Sequence, residues 1–336
     1  MKWPWQHQRN DSRLAVLSEP DRFAYVLADG RGQLRAAAVL LRAGATPQDM
    51  GRRVRALSLP LHGTLAVLPL GDAQLLSVEA PAVQPEELKA AVRWRIKDLV
   101  DTRLDELTID VLSVGDERPR PQRNVFVAAA RTVLIRELGE RMQTAGLELA
   151  VIDLVEMSQR NLQCALARTA GLGDRATAAL VRHGAQCLLT ICAGDELFYA
   201  RRLDWEELPE RSLAPAMVAS AEAPLQSMDF VDYGATGDGH GDHDDDAPRL
   251  VVELQRSFDV WERSWPDLPL ATLWVQVGAA TAELMPQLQA TLGRPVHELE
   301  ADSLFPGFTA LAPTVAQRET LLPLLGALLR SETRKA

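Results

Sequence analysis

An α/β fold of two similar lobes, with a small α+β subdomain inserted into the first, is the class this sequence predicts, and three observations predict it. Residues 13–41 and 176–203 carry the same unit, in which three apolar runs are joined first by a short polar turn and then by a Gly-containing turn. Each unit leads into segments whose apolar period changes between that of a strand and that of a helix. A helix and further strands stand between the strand at 63–70 and the one at 148–153, where they read as an insertion. The predicted division is a flexible tail at 1–12, a lobe I core at 13–80 and 147–172, an inserted subdomain at 81–146, and lobe II at 173–336 with a flexible acidic loop at 234–247.

The elements follow in order. In the first unit the turns are Glu19-Pro20-Asp21 and Asp29-Gly30-Arg31-Gly32, after which 47–58 reads as a short helix and 63–70 as a strand. Pro85 and the acids Glu86 and Glu87 suit the first turn of a helix, where a missing N–H costs nothing and negative charge meets the positive end of the dipole. Leu88, Val92, Ile96 and Leu99 recur at helical spacing over 86–100 and form one apolar stripe. Arg95 falls inside that arc and has to snorkel or pair. Residues 107–114 alternate as a half-buried strand, 124–130 form another, 132–144 a helix stopped by Gly146, 148–153 a strand and 155–168 a helix. Lobe II opens after the linker at 171–175, and its unit turns at Arg182-His183-Gly184 and Gly194-Asp195. A long helix then carries Leu250, Leu254, Phe258, Trp261 and Trp265 on one stripe, which reads as core. A strand at 270–277 ends at Gly278, and a helix, a strand at 295–299 and a leucine-rich helix at 320–330 close the chain.

With 336 residues, 47% of them hydrophobic, the chain has enough apolar material for two substantial cores. A formal charge of -10 argues against nucleic acid as the main partner, because phosphate backbones reward clustered Lys and Arg. Cys164, Cys187 and Cys192 include no Cys-x-x-Cys pair and suit neither a disulfide framework nor a zinc site. No apolar stretch reaches the roughly 18 to 20 residues a membrane helix needs, and the first seven residues hold no signal core. The expectation is a cytoplasmic protein with no span of its own. Trp3 and Trp5 beside Lys2 fit either an interfacial contact or a disordered tail.

Arg93, Trp94 and Lys97 lie off the stripe of the 86–100 helix, so an aromatic ring stands between two cations on the solvated face. That arrangement suits a grip on a peptide by stacking and charge, and the alternative is that Trp94 packs beneath the neighbouring strands. The loop holding His240, His243 and five aspartates between Asp238 and Asp246 has ligand types for a divalent ion but no fixed spacing, so it reads as a solvated acidic loop; a metal-dependent enzyme is the remote alternative. Glu253 and Arg256 fit a surface i, i+3 ion pair as well as a cleft contact. His183 beside Gly184 could face an anion.

Six segments in order resemble the PilM-like cytoplasmic proteins of type IV pilus assembly, nearest to those of mannose-sensitive haemagglutinin (MSHA) pilus systems: EELKAAVRWRIKDLVD with LDELTIDVLSV at 86–114, VFVAAARTVLI at 125–135, AGLELAVIDLVEMSQRNL at 145–162, ELFYARRLD at 196–204, VELQRSFDVWER at 252–263 and LLPLLGALLR at 321–330. The resemblance covers most of the chain from Arg13 onward. It implies an actin-like (ribonuclease H-like) fold and a cytoplasmic platform, peripheral to the inner membrane through its partners. The implied partner is the N-terminal tail of a PilN-like or MshJ-like bitopic inner-membrane protein, and through it the assembly motor. Relatives that bind ATP carry an acidic residue followed by glycine in both phosphate turns and paired glycines at the adenosine segment. Here the three places read Val16-Leu17-Ser18-Glu19, Val181-Arg182-His183-Gly184 and Val277-Gly278-Ala279-Ala280, so the expectation is no catalysis and no required cofactor. If ATP with Mg²⁺ does bind, the resemblance assigns Gly184, Glu253, Arg256 and Gly278 to it.

Overall fold

The computed structural model describes residues 12–113, 124–205 and 249–331. The tail before Ser12 and the acidic loop at 234–247, with His240 and His243, lie outside the described residues. In chain order the first half contains β1 (Arg13–Ser18), β2 (Arg22–Ala28), β3 (Leu34–Leu41), α1 (Pro47–Arg55), β4 (Thr64–Leu68), β5 (Ala73–Glu79), α2 (Pro85–Arg95), β6 (Leu107–Ser113), β7 (Asn124–Arg131), α3 (Thr132–Ala145), β8 (Leu149–Leu154) and α4 (Val155–Thr169). The second half contains β9 (Ala176–His183), β10 (Gln186–Ala193), β11 (Glu196–Asp204), α5 (Arg249–Ser264), β12 (Leu270–Gln276), α6 (Thr281–Leu292), β13 (Val296–Glu298), α7 (Phe308–Leu311) and α8 (Val315–Leu328).

The repeated three-strand unit becomes a repeated sheet. Lobe I has the order β3-β2-β1-β4-β8 and lobe II the order β11-β10-β9-β12-β13. In both, the first three strands are antiparallel and the last two join parallel beside the first. The central strands β1 and β9 are buried on both faces, which explains why they read as continuous apolar runs rather than as alternation. Local chemistry fixes the helix ends: Thr46 and Asp49 close a capping box at α1, Thr314 and Gln317 another at α8, and Gly146 ends α3 at φ +75°.

Two helices are exchanged between the lobes. α4 leaves lobe I and packs on β9, β10 and β11, while α8 leaves lobe II and packs on β1 to β4. α4 is buried along nearly its whole length, and the amides of Gln159, Gln163 and Asn161 find their partners in lobe II, whereas Ser158 Oγ finds none among the described residues. Gln159 Nε2 donates to the carbonyls of Ala179 and Leu188 at 3.1 and 3.0 Å, and Gln163 Nε2 donates to Thr177 O at 2.7 Å. Where α4 and α8 cross, a Cβ on Gly326 would stand 2.0 Å from Ser158 O, and Asn161 Nδ2 donates to Gly326 O at 3.1 Å. Glycine is required there by contact, not by conformation.

The inserted subdomain is the three-stranded sheet β5-β7-β6 with α2 across it. Val92 and Ile96 are fully buried among Val78, Ile109, Val125 and Val127. Three expectations are corrected here. Residues 73–79, placed in the lobe I core, pair with β7 along their whole length, from Ala73 opposite Ala130 to Glu79 opposite Asn124. The 86–100 helix stops at Arg95, with Ile96 as its cap and a turn in which Leu99 N–H donates to Ile96 O at 2.9 Å. The apolar stripe therefore ends at Ile96, leaving Leu99 54% exposed, and Arg95, expected inside the arc, is open to solvent.

Candidate functional site

The lobes enclose a cleft of about 350 Å³, lined by Leu17, Glu19, Arg22 and Gly71 from lobe I and by His183, Gly184, Gln186 and Glu319 from lobe II. In the β1–β2 turn Glu19 N–H donates to Arg22 O at 2.9 Å, Pro20 has no N–H, and the Glu19 carboxylate is held by Arg22 Nε. In this turn the backbone donor of Glu19 is thus spent and that of Pro20 missing, and a carboxylate stands among the lining groups. In the β9–β10 turn Gly184 adopts φ +64°, Arg182 Nε donates to Gly184 O at 3.0 Å, and the Arg182 guanidinium lies 5.0 Å over the Trp205 ring. Burial, with the charge of Arg202 added, pushes His183 down to about 4, so the ring is neutral at pH 7. At Gly278, φ +73°, a Cβ would stand 2.3 Å from Glu319 Oε1, so a second carboxylate fills the space over that glycine. The cleft wall therefore holds two acids, two guanidiniums and a neutral imidazole.

Of the four residues assigned to nucleotide, Gly184 lines this cleft and Gly278 borders it through Glu319. Glu253 and Arg256 do not line it. Glu253 on α5 accepts from Arg201 NH2 and from Arg256 NH1, the latter at 2.7 Å, which is the ion-pair arrangement. On α2, Trp94 is 73% exposed, so the alternative in which it packs beneath the strands is overturned, and Lys97 is exposed beside it. Arg93 does not stand free with them: its guanidinium donates to Leu104 O and fastens α2 to the chain before β6.

A second concavity, about 390 Å³, runs between α1, α3 and the β1–β2 turn. Phe23, Met50, Val54 and Met142 give it an apolar lining, and Arg42, Glu137, Glu140 and Arg141 are among its charged groups. Its walls are fixed. A Cβ on Gly51 would stand 2.7 Å from Thr144 O, so α1 and α3 touch backbone to backbone at one end. Arg55 Nε donates to Thr144 O at 2.9 Å, and Arg141 NH2 from α3 donates to Ser18 O at 3.1 Å. Sequence reasoning missed this groove, because its lining comes from three separated stretches, none of which signals a site alone.

No family model matches the chain, and no curated protein matches it in sequence. Among solved structures it is similar to one described as the PilM–PilN type IV pilus biogenesis complex, at 17% identity over 95% of this chain and 98% of that one, with a TM-score of 0.66. The chain has an actin-like fold. Other similar structures are the cytoplasmic domain of EpsL, an inner-membrane component of the type II secretion system of Vibrio cholerae (12% identity, 57% of this chain, 71% of that one, TM-score 0.42), and a Bacteroides thetaiotaomicron protein with an actin-like ATPase fold (7%, 93%, 96% and 0.48). The two lobes of one topology each lend a helix to the other, and both exchanged helices reach the cleft, α4 through Val155 and α8 through Glu319 and Pro323. Among the described residues no helix is long and apolar enough to cross a membrane.

Proposed function

We propose that this chain is a non-catalytic platform of type IV pilus biogenesis, of the MshI kind found in MSHA systems, which holds the cytoplasmic N-terminal tail of a PilN-like or MshJ-like bitopic inner-membrane protein. Its place is the cytoplasmic face of the inner membrane, reached through that partner, with the assembly motor as the next member of the complex. The observation that carries the reading is the groove between α1 and α3: apolar within, charged at its edges and walled by rigid helices, as a short extended peptide requires. The six ordered motifs and the fold shared with the PilM–PilN structure support it. So does the cleft, where Pro20, the Glu19–Arg22 pair and the Glu319 carboxylate disfavour a polyphosphate. Trp94 and Lys97 on α2 are the alternative contact for the tail.

A second reading keeps ATP as a switch in the same complex, favoured by one observation: a cleft of about 350 Å³ remains between the lobes, with Gly184 lining it and Gly278 at its border. The test is calorimetric titration with a synthetic peptide of the tail of the bitopic protein encoded beside this chain, with and without Mg-ATP. Binding that is independent of ATP, weakened about tenfold or more by Met50→Glu at the half-buried groove wall and unchanged by Trp94→Ala or Lys97→Glu, is the expected result. Loss of binding with the α2 variants alone would move the tail to α2. Binding only in the presence of ATP would establish the switch, and none in either condition would remove the tail reading.

A further inference from the structure

No described lobe II residue lines the groove, yet one lobe II side chain holds the strand on which a groove wall is built. Arg202 of β11 reaches across with one nitrogen, NH2, which donates to Ala73 O at 2.5 Å and to Glu156 Oε1 at 2.8 Å. Glu156, in the first turn of α4, is 2% exposed, so its charge has left water and the guanidinium is its compensation. Ala73 is the first residue of β5, and β5 pairs with β7 through all seven of its residues. β7 ends at Arg131 and α3 begins at Thr132 with no loop between them. α3 then supplies Glu137, Glu140, Arg141 and Met142 to the groove. The path from Arg202 to the groove is thus one ion pair with a hydrogen bond, one fully paired strand ladder and one continuous strand-to-helix step. None of these yields readily to bending.

We infer that Arg202 is a positioning residue for the groove: by holding β5 against lobe II and α4 it sets where α3 stands relative to α1, and so sets the affinity for the tail. The inference rests on the tail-binding reading above. It makes the groove responsive to lobe II. A shift of β11 against α4 moves the β5 anchor, and the groove widens or narrows at its α3 wall. It also gives a use to an ion pair whose carboxylate is buried, since such a pair contributes little net stability by itself.

The test measures tail-peptide affinity of the full chain by titration, with the fold of each variant checked by circular dichroism. Arg202→Ala is expected to weaken binding by about tenfold, a size usual for coupling between separate sites, without altering any groove residue. Arg202→Lys keeps the charge but replaces the planar guanidinium by a compact ammonium, and is expected to restore part of the loss. Arg168→Ala removes another α4-to-lobe II ion pair, the one to Asp195, which does not touch β5, and is expected to leave affinity unchanged. Equal losses in Arg168→Ala and Arg202→Ala would show general loosening and overturn the inference. So would unchanged affinity in a folded Arg202→Ala protein. Should that variant not fold, Arg202→Gln, too short to hold both acceptors, decides in its place by the same criterion. Absence of binding by the unaltered protein would remove the tail reading and this inference together, whereas binding that ignores Arg202 removes this inference alone.

Discussion

His183 shows what residue type and spacing leave open. In the sequence it is a turn histidine beside a glycine, equally suited to solvent or to an anion. In the fold it is half-buried against α4, its Nε2 3.5 Å from Gln159 Oε1, and Arg202 adds a positive charge. Its pKa falls to about 4 from an ordinary value of 6.5. The unfolded chain therefore binds more protons between those two values, and stability declines as pH falls through that window. The decline is at most about 3 kcal/mol, and less in so far as solvent reaches the ring. Thermal unfolding from pH 7 to 4 should show it, and His183→Gln should flatten that part of the profile; an unchanged profile would mean the ring is solvated. Trp94 teaches the same lesson in reverse. The stripe shows that it faces away from Val92 and Ile96, but whether another element covers that face is a tertiary fact, and none of the described elements does.

At the scale of elements, the strands and helices were legible wherever one face meets a core. The three-strand units, α3 with its glycine stop, α4 and α5 follow the expected spans to within a few residues. Two misreadings share a cause. β5 is mixed in polarity, and only its ladder with β7 assigns it to the inserted sheet. α2 ends at Arg95 because the chain turns at Ile96, a stop that the continuing apolar spacing through Leu99 conceals. The crossing of α4 and α8 gives a direct test of an element contact. Gly326→Ala forces a methyl group into the Ser158 backbone and should destabilise by about 1 to 3 kcal/mol or more, read as a lower Tm. A substitution without effect would show that the two helices stand further apart than this packing requires.

For the whole molecule the helix exchange has a thermodynamic consequence. α4 is covalently part of lobe I but finishes the core of lobe II, and α8 does the converse, so neither lobe keeps a complete core when the other unfolds. Arg13 NH2 to Arg330 O at 2.7 Å and Arg330 NH1 to Asp153 Oδ2 at 3.1 Å tie β1 and β8 to the residues just beyond α8. A single calorimetric transition, with equal calorimetric and van't Hoff enthalpies, is expected. Two resolved transitions would mean that the lobes fold independently.

The sequence by itself determined the two-lobed class, because each lobe repeats a strand unit whose apolar period depends only on one face being buried. It also put the insertion inside lobe I and marked the two turns that line the cleft, since turn chemistry is local. The tertiary structure alone decided the rest. The groove needs residues 18–23, 42–54 and 137–145 to converge, and the Arg202 junction needs β11, α4 and β5 to meet. Periodicity records whether a side chain faces a core, but not which distant segment supplies the other side of the contact, and both features are made of such contacts.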